Sequence, residues 1–369
     1  MSKQQLRVGV IGAGAISGNH LAALREIEGA TVVGVCDVHA DRARARADEF
    51  GVPASFGSAD ELLAHGVDVV TVCTPHPSHE DVVLKAAAAG VHVICEKPIA
   101  TDIASARRMI EACDEAGVRL GVFFQRRFWP AAQKIRAALD NGTLGEPILG
   151  QCSVLLHRKP EYYSKDAWRG TWVNDGGGVL MTQAVHYIDM LQWFMGPVAE
   201  VTGRINTFKH GENIEVEDSA VATLVFASGA LATLQASTAA TPALGAQVRV
   251  TGSTGATVQL TEYPEGTDGR LDIWAVGDSV GTTPAHPSDA DPNIDLGTIN
   301  GALTPYHRAQ IEEFLDSVRE DRDPAISGTD AMQAIKILLA VYESSRTGAP
   351  VRFGRQPRLV TVPDAVTAV

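Results

Sequence analysis

A lysine held between a carboxylate and a proline, Glu96-Lys97-Pro98, is placed for proton chemistry. It follows Cys95, where the apolar run Val91-His92-Val93-Ile94 stops and before the helical run Ile103 to Ala116 begins. That is the carboxyl end of an expected buried strand, the edge at which open α/β sheets carry their ligands. Pro98 fixes one backbone angle and removes a donor, so the turn bearing Lys97 is stiff. Lys97 is therefore a candidate proton donor or acceptor. The alternative is a loop lysine paired with Glu96.

A second polar group lies at Gly176-Gly177-Gly178-Val179-Leu180-Met181-Thr182-Gln183-Ala184-Val185-His186-Tyr187-Ile188-Asp189. From Val179 this reads as a helix that continues through Phe194 to Gly196-Pro197. Thr182 and His186 are spaced i,i+4, Gln183 and His186 i,i+3, and Asp189 extends the row. Polar side chains on an otherwise apolar helix require partners or a ligand. The three glycines are expected to open backbone access for that ligand. The alternative is a core histidine with its hydrogen bonds satisfied. The preceding segment, Pro160 to Trp172, carries Tyr162, Tyr163, Trp168, Arg169 and Trp172. Flat amphipathic rings and an arginine suit a sugar-like ligand or a ribose, and equally an ordinary packed loop.

The elements that position Lys97 begin at the N-terminus. Leu6 to Ile11 is a short strand running into Gly12-Ala13-Gly14-Ala15-Ile16-Ser17, and a helix follows. Strand, G-x-G and helix form the dinucleotide-binding arrangement: Gly12 makes the tight turn, and Gly14 lets backbone N–H groups approach a pyrophosphate. Ser17 stands where a third glycine is usual. A second apolar run, Thr31 to Cys36, ends in Asp37, which can accept hydrogen bonds from the adenine-ribose hydroxyls. The same charge repels a 2′-phosphate, so NAD is favoured over NADP; Arg42 could soften that preference. Strand and helix then alternate: a helix over 60–65, a strand over 67–73 ending in Thr74-Pro75-His76, and a helix to Gly90 with Ser78 as N-cap and Asp81 as its capping-box partner. After the Lys97 turn come a helix from Asp102 to Gly117 and a strand over 118–124. This order implies a parallel sheet with right-handed crossovers. A cofactor lying along its carboxyl edge would bring its nicotinamide end near Lys97.

Beyond residue 126 the pattern changes. Stretches 147–157, 199–208, 218–226, 230–238, 247–251 and 257–262 read as strands, with hairpin turns at Ser228-Gly229 and Ser253-Thr254-Gly255. The expected fold class is α/β: an N-terminal Rossmann domain (1–125), then an α/β domain with a mostly antiparallel open sheet (126–352), and a tail (353–369) with no assigned role. One sheet face is expected to pack on helices. The other has few charges and suits a subunit interface, hence a homo-oligomer, a dimer or tetramer. Residues 264–304 are rich in Gly, Pro, Asp and Thr and read as a long loop. Helices over 306–319 and 329–345 close the fold.

Composition bounds the function. The 369 residues carry 44 acidic and 31 basic side chains, a formal charge of −13, and show no Lys/Arg-rich run, which argues against nucleic acid. No apolar stretch is long enough to span a membrane, and no signal peptide is read at the N-terminus. Five cysteines (Cys36, Cys73, Cys95, Cys113 and Cys152) form no C-x-x-C pair, so no metal site is expected; the scattered set suits a reducing, cytoplasmic location.

With these residues in view, the chain resembles the Gfo/Idh/MocA family of NAD(P)-dependent oxidoreductases over about residues 6 to 352. The specific carriers are Thr74-Pro75 with His79, Glu96-Lys97-Pro98, the triple glycine, and His186 with Asp189. The resemblance implies a hydride transfer between NAD(H) and the hydroxyl or keto carbon of a sugar, cyclitol or nucleotide sugar. It makes Lys97 and His186 catalytic. Many members carry an aspartate four residues before that histidine, where this chain has Thr182. Trp168-Arg169 matches a pair that reaches the cofactor in some members. The implied cofactor set is Gly12, Ala13, Gly14, Ala15, Ile16, Asp37, Thr74, Pro75, His79, Glu96, Lys97, Gln125, Trp168 and Arg169. The substrate set is Lys97, Arg126, Tyr163, Thr182, Gln183 and His186. Arg126, like Arg127, could instead make a domain-boundary ion pair. His186 is favoured as base and Lys97 as the polarising donor. Rival readings are an NAD-dependent glycosidase that oxidises its sugar transiently and an NAD-binding regulator without catalysis.

Overall fold

Runs of β-branched residues buried on both faces build the first sheet. The computed structural model describes residues 3–164, 168–277, 279–282 and 294–357. Strands β1 (Leu6–Ile11), β2 (Ala30–Cys36), β3 (Ser55–Phe56), β4 (Val69–Val72), β5 (His92–Cys95) and β6 (Leu120–Val122) lie in the order β3-β2-β1-β4-β5-β6, all parallel. Val8, Val10, Val70, Val72 and Val93 are buried in that sheet. The connecting helices are α1 (Ser17–Leu24), α2 (Ala40–Phe50), α3 (Ala59–Ala64), α4 (His79–Ala88) and α5 (Ile103–Ala116). Asp102 caps α5 by accepting from the Ser105 N–H, and Gly117 ends it at φ +66°. Ser78 does not cap α4. Its hydroxyl donates back to the Pro75 carbonyl at 2.7 Å, because residues 76–78 already form a tight 3₁₀ turn, so the capping box with Asp81 is not made.

The second sheet has nine strands: β7 (Pro147–Leu155), β8 (Val198–Asn206), β9 (Ser219–Phe226), β10 (Leu231–Ser237), β11 (Gly245–Gly252), β12 (Thr257–Glu262), β13 (Arg270–Val276), β14 (Ser279–Thr282) and β15 (Val351–Arg352). Their order is β14-β13-β12-β11-β7-β10-β9-β8-β15. Among the described residues of this sheet, only β7 and β10 pair in parallel. Helices α6 (Pro130–Asp140) and α7 (Pro160–Ser164) flank β7; α8 (Val185–Met195) and α10 (Gly328–Thr347) pack on one face of this sheet. On β9, Ala220, Ala222, Leu224 and Phe226 point to the helices and are buried, while Val221 and Thr223 face outward and are exposed.

The stretch 264–304 is not a continuous loop. It holds β13 and β14, and α9 (Leu296–Arg319) begins ten residues before the expected start at Tyr306, with Pro305 inside it. The glycines and prolines that suggested a loop cluster at its turns, while Leu271 and Ile273 pair with β12. Residues 278 and 283–293 of that stretch, and 358–369 of the tail, lie outside the described residues.

Helix α9 also closes the first sheet. Its Ile311, Phe314 and Leu315 sit in the apolar cluster that contains Val8, Val10 and Leu21. Gln310 accepts from the Phe124 N–H at 3.1 Å and donates to the Val122 carbonyl at 2.7 Å, covering the end of β6. Consecutive arginines then fasten the segment that follows β6 to the second domain. Arg126 makes two bonds to Glu262, at 2.9 and 3.2 Å, and Arg127 two to Asp189, at 2.7 and 2.6 Å; all four residues are buried. Asp189 therefore turns away from the His186 row and serves Arg127.

Candidate active site

The glycine turn is built as a backbone cradle. Gly12 has φ +98°, and a Cβ there would stand 2.7 Å from the Cys73 carbonyl, so no other residue fits. A Cβ on Gly14 would meet nothing within 4 Å, which leaves the space before the α1 N-terminus open. Ala13 is buried, Ala15 is exposed, and Ile16 leads into α1. Asp37 accepts from the Ala13 N–H at 2.8 Å and the His39 N–H at 2.9 Å, which fixes its carboxylate beside the turn. Ser17 fills the third-glycine place: fully buried, it donates to the Gly14 carbonyl at 2.7 Å. Arg42 is exposed; the arginine that reaches this turn is Arg46, whose guanidinium donates to the Gly14 carbonyl at 3.1 Å.

Lys97 projects from the end of β5 and donates to the Thr182 carbonyl at 2.9 Å. Burial lowers its pKa to about 8; Glu96 works against that shift, and Arg126 and Arg169 add to it. Two neighbours assigned above to the cofactor have other work. His79 sets one ring nitrogen against the Pro98 carbonyl and the other against the Thr74 carbonyl, each at 2.9 Å. It fastens the Thr74-Pro75 turn to the Lys97-Pro98 turn and has no nitrogen left for a ligand. Glu96 turns its carboxylate inward, to His20 at 2.9 Å and His307 at 3.7 Å.

His186 lies on α8, within reach of the Lys97 charge. The chain does not enter this helix as a regular α-helix: Leu180–Ala184 forms a π-helical turn before α8. The wider turn breaks the i,i+4 alignment of Thr182 with His186 and presents the Thr182 carbonyl to Lys97 instead. The Thr182 hydroxyl donates to the Gly178 carbonyl at 2.8 Å and also contacts the Gln183 side chain. His186 is buried, with Nδ1 unpartnered, and stands edge-on to Phe124. Burial, then Arg126 and Lys97, push its pKa well below the usual range, so the ring is neutral. Arg126 is thus near both groups, but two of its guanidinium nitrogens are committed to Glu262 rather than to substrate.

The triple glycine does not open a path for ligand; it is enclosed. Added Cβ atoms would fall 2.5 Å from Thr101 at Gly176, 2.1 Å from the Tyr342 hydroxyl at Gly177 and 1.7 Å from the Glu217 carbonyl at Gly178. Glu217 accepts from the Gly178 and Leu180 N–H groups, both at 2.9 Å, and so holds the π turn.

Of the two adjacent tyrosines, the inward one is Tyr163: it is buried, bonded to Thr238 at 2.8 Å, and does not line the site. Tyr162 takes that place, accepting from Gln183 at 2.9 Å and from Arg169 at 2.8 Å. The Arg169 guanidinium also lies over Trp168, 4.5 Å from the ring centroid, and Trp168 meets His76 edge-on at 5.4 Å. The pair therefore reaches the turn after β4; residues 165–167 lie outside the described residues. Sequence reasoning missed Asp175. It is buried, accepts from the Gly170 N–H at 2.9 Å, and burial raises its pKa to about 6 against the pull of Gly170, Arg169 and Lys97. Preceding the glycines, it could have been read as a second carboxylate of the site.

Thr74 Oγ1, Gln125 Oε1, Asp175 Oδ1 and His186 Nδ1 are among the buried polar atoms that have no hydrogen-bond partner, Asp175 Oδ1 lying 3.5 Å from the His76 ring. They lie at the carboxyl edge of the first sheet or around Lys97. Buried polar atoms without partners mark where a polar ligand completes the structure. An open backbone turn beside Asp37, with unpartnered groups further along the same edge, fits a dinucleotide whose reactive end lies at Lys97.

Residues 6–124 match the oxidoreductase family with an NAD-binding Rossmann fold, and residues 132–258 match the GFO/IDH/MocA C-terminal domain. The chain is 31% identical over 357 residues to the D-apiose dehydrogenase of Paraburkholderia graminis, covering 93% of this chain and 88% of that one. It is 30% identical over 351 residues to the myo-inositol 2-dehydrogenase of Thermotoga maritima, covering 92% and 96%. Among solved structures, the WlbA dehydrogenase from Bordetella pertussis in complex with NADH and UDP-GlcNAcA superposes with a TM-score of 0.81. That match has 30% identity and covers 96% of this chain and 100% of that one.

Proposed function

The chain belongs to the Gfo/Idh/MocA family of oxidoreductases, and on that premise we propose a reading of its site in which Lys97 is the base and His186 the neutral partner. The enzyme moves a hydride between NAD(H) and the hydroxyl-bearing carbon of a sugar, cyclitol or nucleotide sugar. What supports this is Lys97 bonded to the Thr182 carbonyl, four residues before a buried His186 whose Nδ1 has no partner, with burial lowering the Lys97 pKa to about 8 and holding the His186 pKa well below its usual range. Bound NAD supplies the hydride acceptor, at C4 of its nicotinamide. Asp37, fixed beside the glycine turn, favours ribose hydroxyls and disfavours a 2′-phosphate.

The roles of the two groups are the reverse of those favoured from sequence. A base works best when its pKa lies near the working pH. His186 is too weak a base at neutral pH, since burial and two adjacent cations oppose its protonation. Lys97 loses its proton within reach of physiological pH. In oxidation its neutral amine takes the hydroxyl proton as the hydride leaves, and His186 holds the oxygen by a hydrogen bond. Tyr162, Gln183 and Thr182 form the wall that meets the remaining hydroxyls.

The test is NADH formation across a panel of free sugars, inositols and nucleotide sugars, with NAD and NADP compared. For the best substrate, kcat/KM for oxidation is expected to rise with pH through about 8 and then level, because the reactive form is the deprotonated amine. Reduction of the product should fall over the same range, because it needs the ammonium. A profile flat between pH 6 and 9, or one rising near pH 6, would return the role of base to another group.

Among the described residues no helix is long and apolar enough to cross a membrane. The five cysteines are buried and unpaired, which suits the cytoplasm. The outward face of the second sheet carries a groove of about 550 Å³ lined by Gln151, Thr202, Val221, Thr223, Thr233 and Gln235. With Val221 56% exposed at its centre, this face is where a second copy would pack. The enzyme is expected to be a dimer or tetramer by light scattering. Val221→Lys should reduce the mass to that of a smaller species; an unchanged mass would place the interface elsewhere.

A further inference from the structure

The glycine turn carries a cation beside the Asp37 carboxylate. Arg46 stands on α2, and its Nη2 donates to the Gly14 carbonyl at 3.1 Å. Asp37 accepts the Ala13 N–H at 2.8 Å. A guanidinium and a carboxylate are thus anchored on consecutive residues, whose Cα atoms lie about 3.8 Å apart. Among the described residues the two form no ion pair with each other. Asp37 holds the Ala13 and His39 N–H groups, and Arg46 holds the Gly14 carbonyl and the Glu49 carboxylate.

The position of Arg46 is fixed from several sides. Its guanidinium carbon lies 5.9 Å from the centroid of the Phe50 ring, one helical turn further along α2. Gly18, on α1, makes room for it, since a Cβ there would stand 3.3 Å from Nη1. Glu49 accepts from Nη1 at 2.8 Å, but its side chain is 58% exposed, so this ion pair is open to water and weak. Arg42 and Arg44, on the same helix, are exposed, and neither bonds the turn among the described residues. A guanidinium has five N–H donors in a planar fork that suits phosphate oxygens. Arg46 commits two of them in these bonds, which leaves donors to meet a ligand at the turn. The space there is open, because a Cβ on Gly14 would meet nothing within 4 Å.

A phosphate on the 2′-oxygen of the adenosine ribose is what separates NADP from NAD. Asp37 opposes that phosphate by charge and Arg46 attracts it. Both lie within a Debye length, about 8 Å, of a group seated on residues 13 and 14, so neither is screened out. We infer that Arg46 is a cofactor-specificity residue: it presents a phosphate-binding cation at the glycine turn, and the preference for NAD is held by the Asp37 charge alone. Removing that charge is then sufficient to admit NADP, with no added cation. The inference rests on the reading that this turn receives the adenosine end of the cofactor, and it is independent of Lys97 and His186.

The test is calorimetric titration of NAD and NADP into the full-length enzyme and its variants, which reads affinity without turnover. Asp37→Asn keeps an acceptor for the Ala13 N–H and removes the charge. It should weaken NAD and tighten NADP, the latter by about ten- to a hundredfold, the worth of a hydrogen bond to a charged group. Arg46→Met keeps an apolar stem against Phe50 and removes the guanidinium. In the double variant most of the NADP gain should disappear, while Asp37→Asn with Arg46→Lys should keep part of it, since an ammonium supplies the charge without the planar fork. The NADP gain should also shrink as salt is raised. Where Arg46→Met does not fold, judged by circular dichroism, Arg46→Gln replaces it in the cycle. An NADP gain that survives loss of the guanidinium would overturn the inference. So would an equal loss of NAD and NADP on removing Arg46, which would make it a support of the turn rather than a phosphate ligand. Weakened NAD with no gain of NADP in Asp37→Asn would refute the role of Arg46 and leave the turn as the adenosine site. If neither cofactor responds to Asp37→Asn, the reading of the turn fails and the inference fails with it.

Discussion

Lys97→Ala is expected to cut sugar oxidation by ~10²–10⁴-fold, the usual contribution of a positioned proton acceptor, while NAD affinity stays within about threefold of the wild type. The separation follows from where the side chain reaches. Its ammonium bonds the Thr182 carbonyl, whereas the turn proposed to receive the dinucleotide is made by Gly12 and Gly14, with Asp37 beside it, at the ends of other strands. Removing the amine leaves that turn intact and leaves Pro98 fastened through His79 to Thr74. Steady-state rates with the best substrate, together with calorimetric titration of NAD, check both halves. Retention of more than about a tenth of the activity would show that another group takes the proton.

A second large effect is expected at the turn that supports Lys97. Gly178→Ala should destabilise the fold by on the order of 3 kcal/mol and lower the melting temperature by about 4 °C. An alanine Cβ would stand 1.7 Å from the Glu217 carbonyl oxygen, a backbone atom that cannot swing aside. Relief requires the π turn to move away from β9, and that breaks the bonds from the Gly178 and Leu180 N–H groups to the Glu217 carboxylate. Since the Thr182 carbonyl on that turn holds Lys97, activity should fall with stability. A thermal melt followed by circular dichroism decides it: a midpoint within about 2 °C of the wild type would mean that the turn adjusts freely.

Local spacing made part of the site readable. The glycine turn, Asp37 and the Lys97 turn each depend on residues a few positions apart, at the ends of runs whose apolar content marks buried strands. What was not readable depends on distant segments meeting. Glu96 lies 76 residues from His20 in sequence and meets it only because α1 crosses behind the sheet. The triple glycine looked like an opening because a sequence shows where side chains are missing, not what fills the space. Tyr162 and Tyr163 are adjacent and chemically alike, so which one faces Gln183 is set by the short helix α7 and its seat on Thr238. Thr182 marks a departure at the level of residue type. The structure adds that its backbone oxygen, not its side chain, meets Lys97, a contact any residue there could make. Strand β13 was hidden by its surroundings, since its own alternation is short and its neighbours are turn formers.

The packing of α9 bears on how the protein is made. Ile311, Phe314 and Leu315 complete a core whose other members come from the first half of the chain, such as Val8, Val10, Leu21 and Ile94. A ribosome that has released the N-terminal strands must synthesise nearly two hundred further residues before those three side chains emerge. Until then the nascent nucleotide-binding half carries an unsealed apolar flank, the kind of surface that chaperones hold and that drives aggregation. Translation of the C-terminal third is therefore the step that finishes the N-terminal unit, and a message truncated before it would yield a sticky fragment rather than a small working cofactor-binding protein.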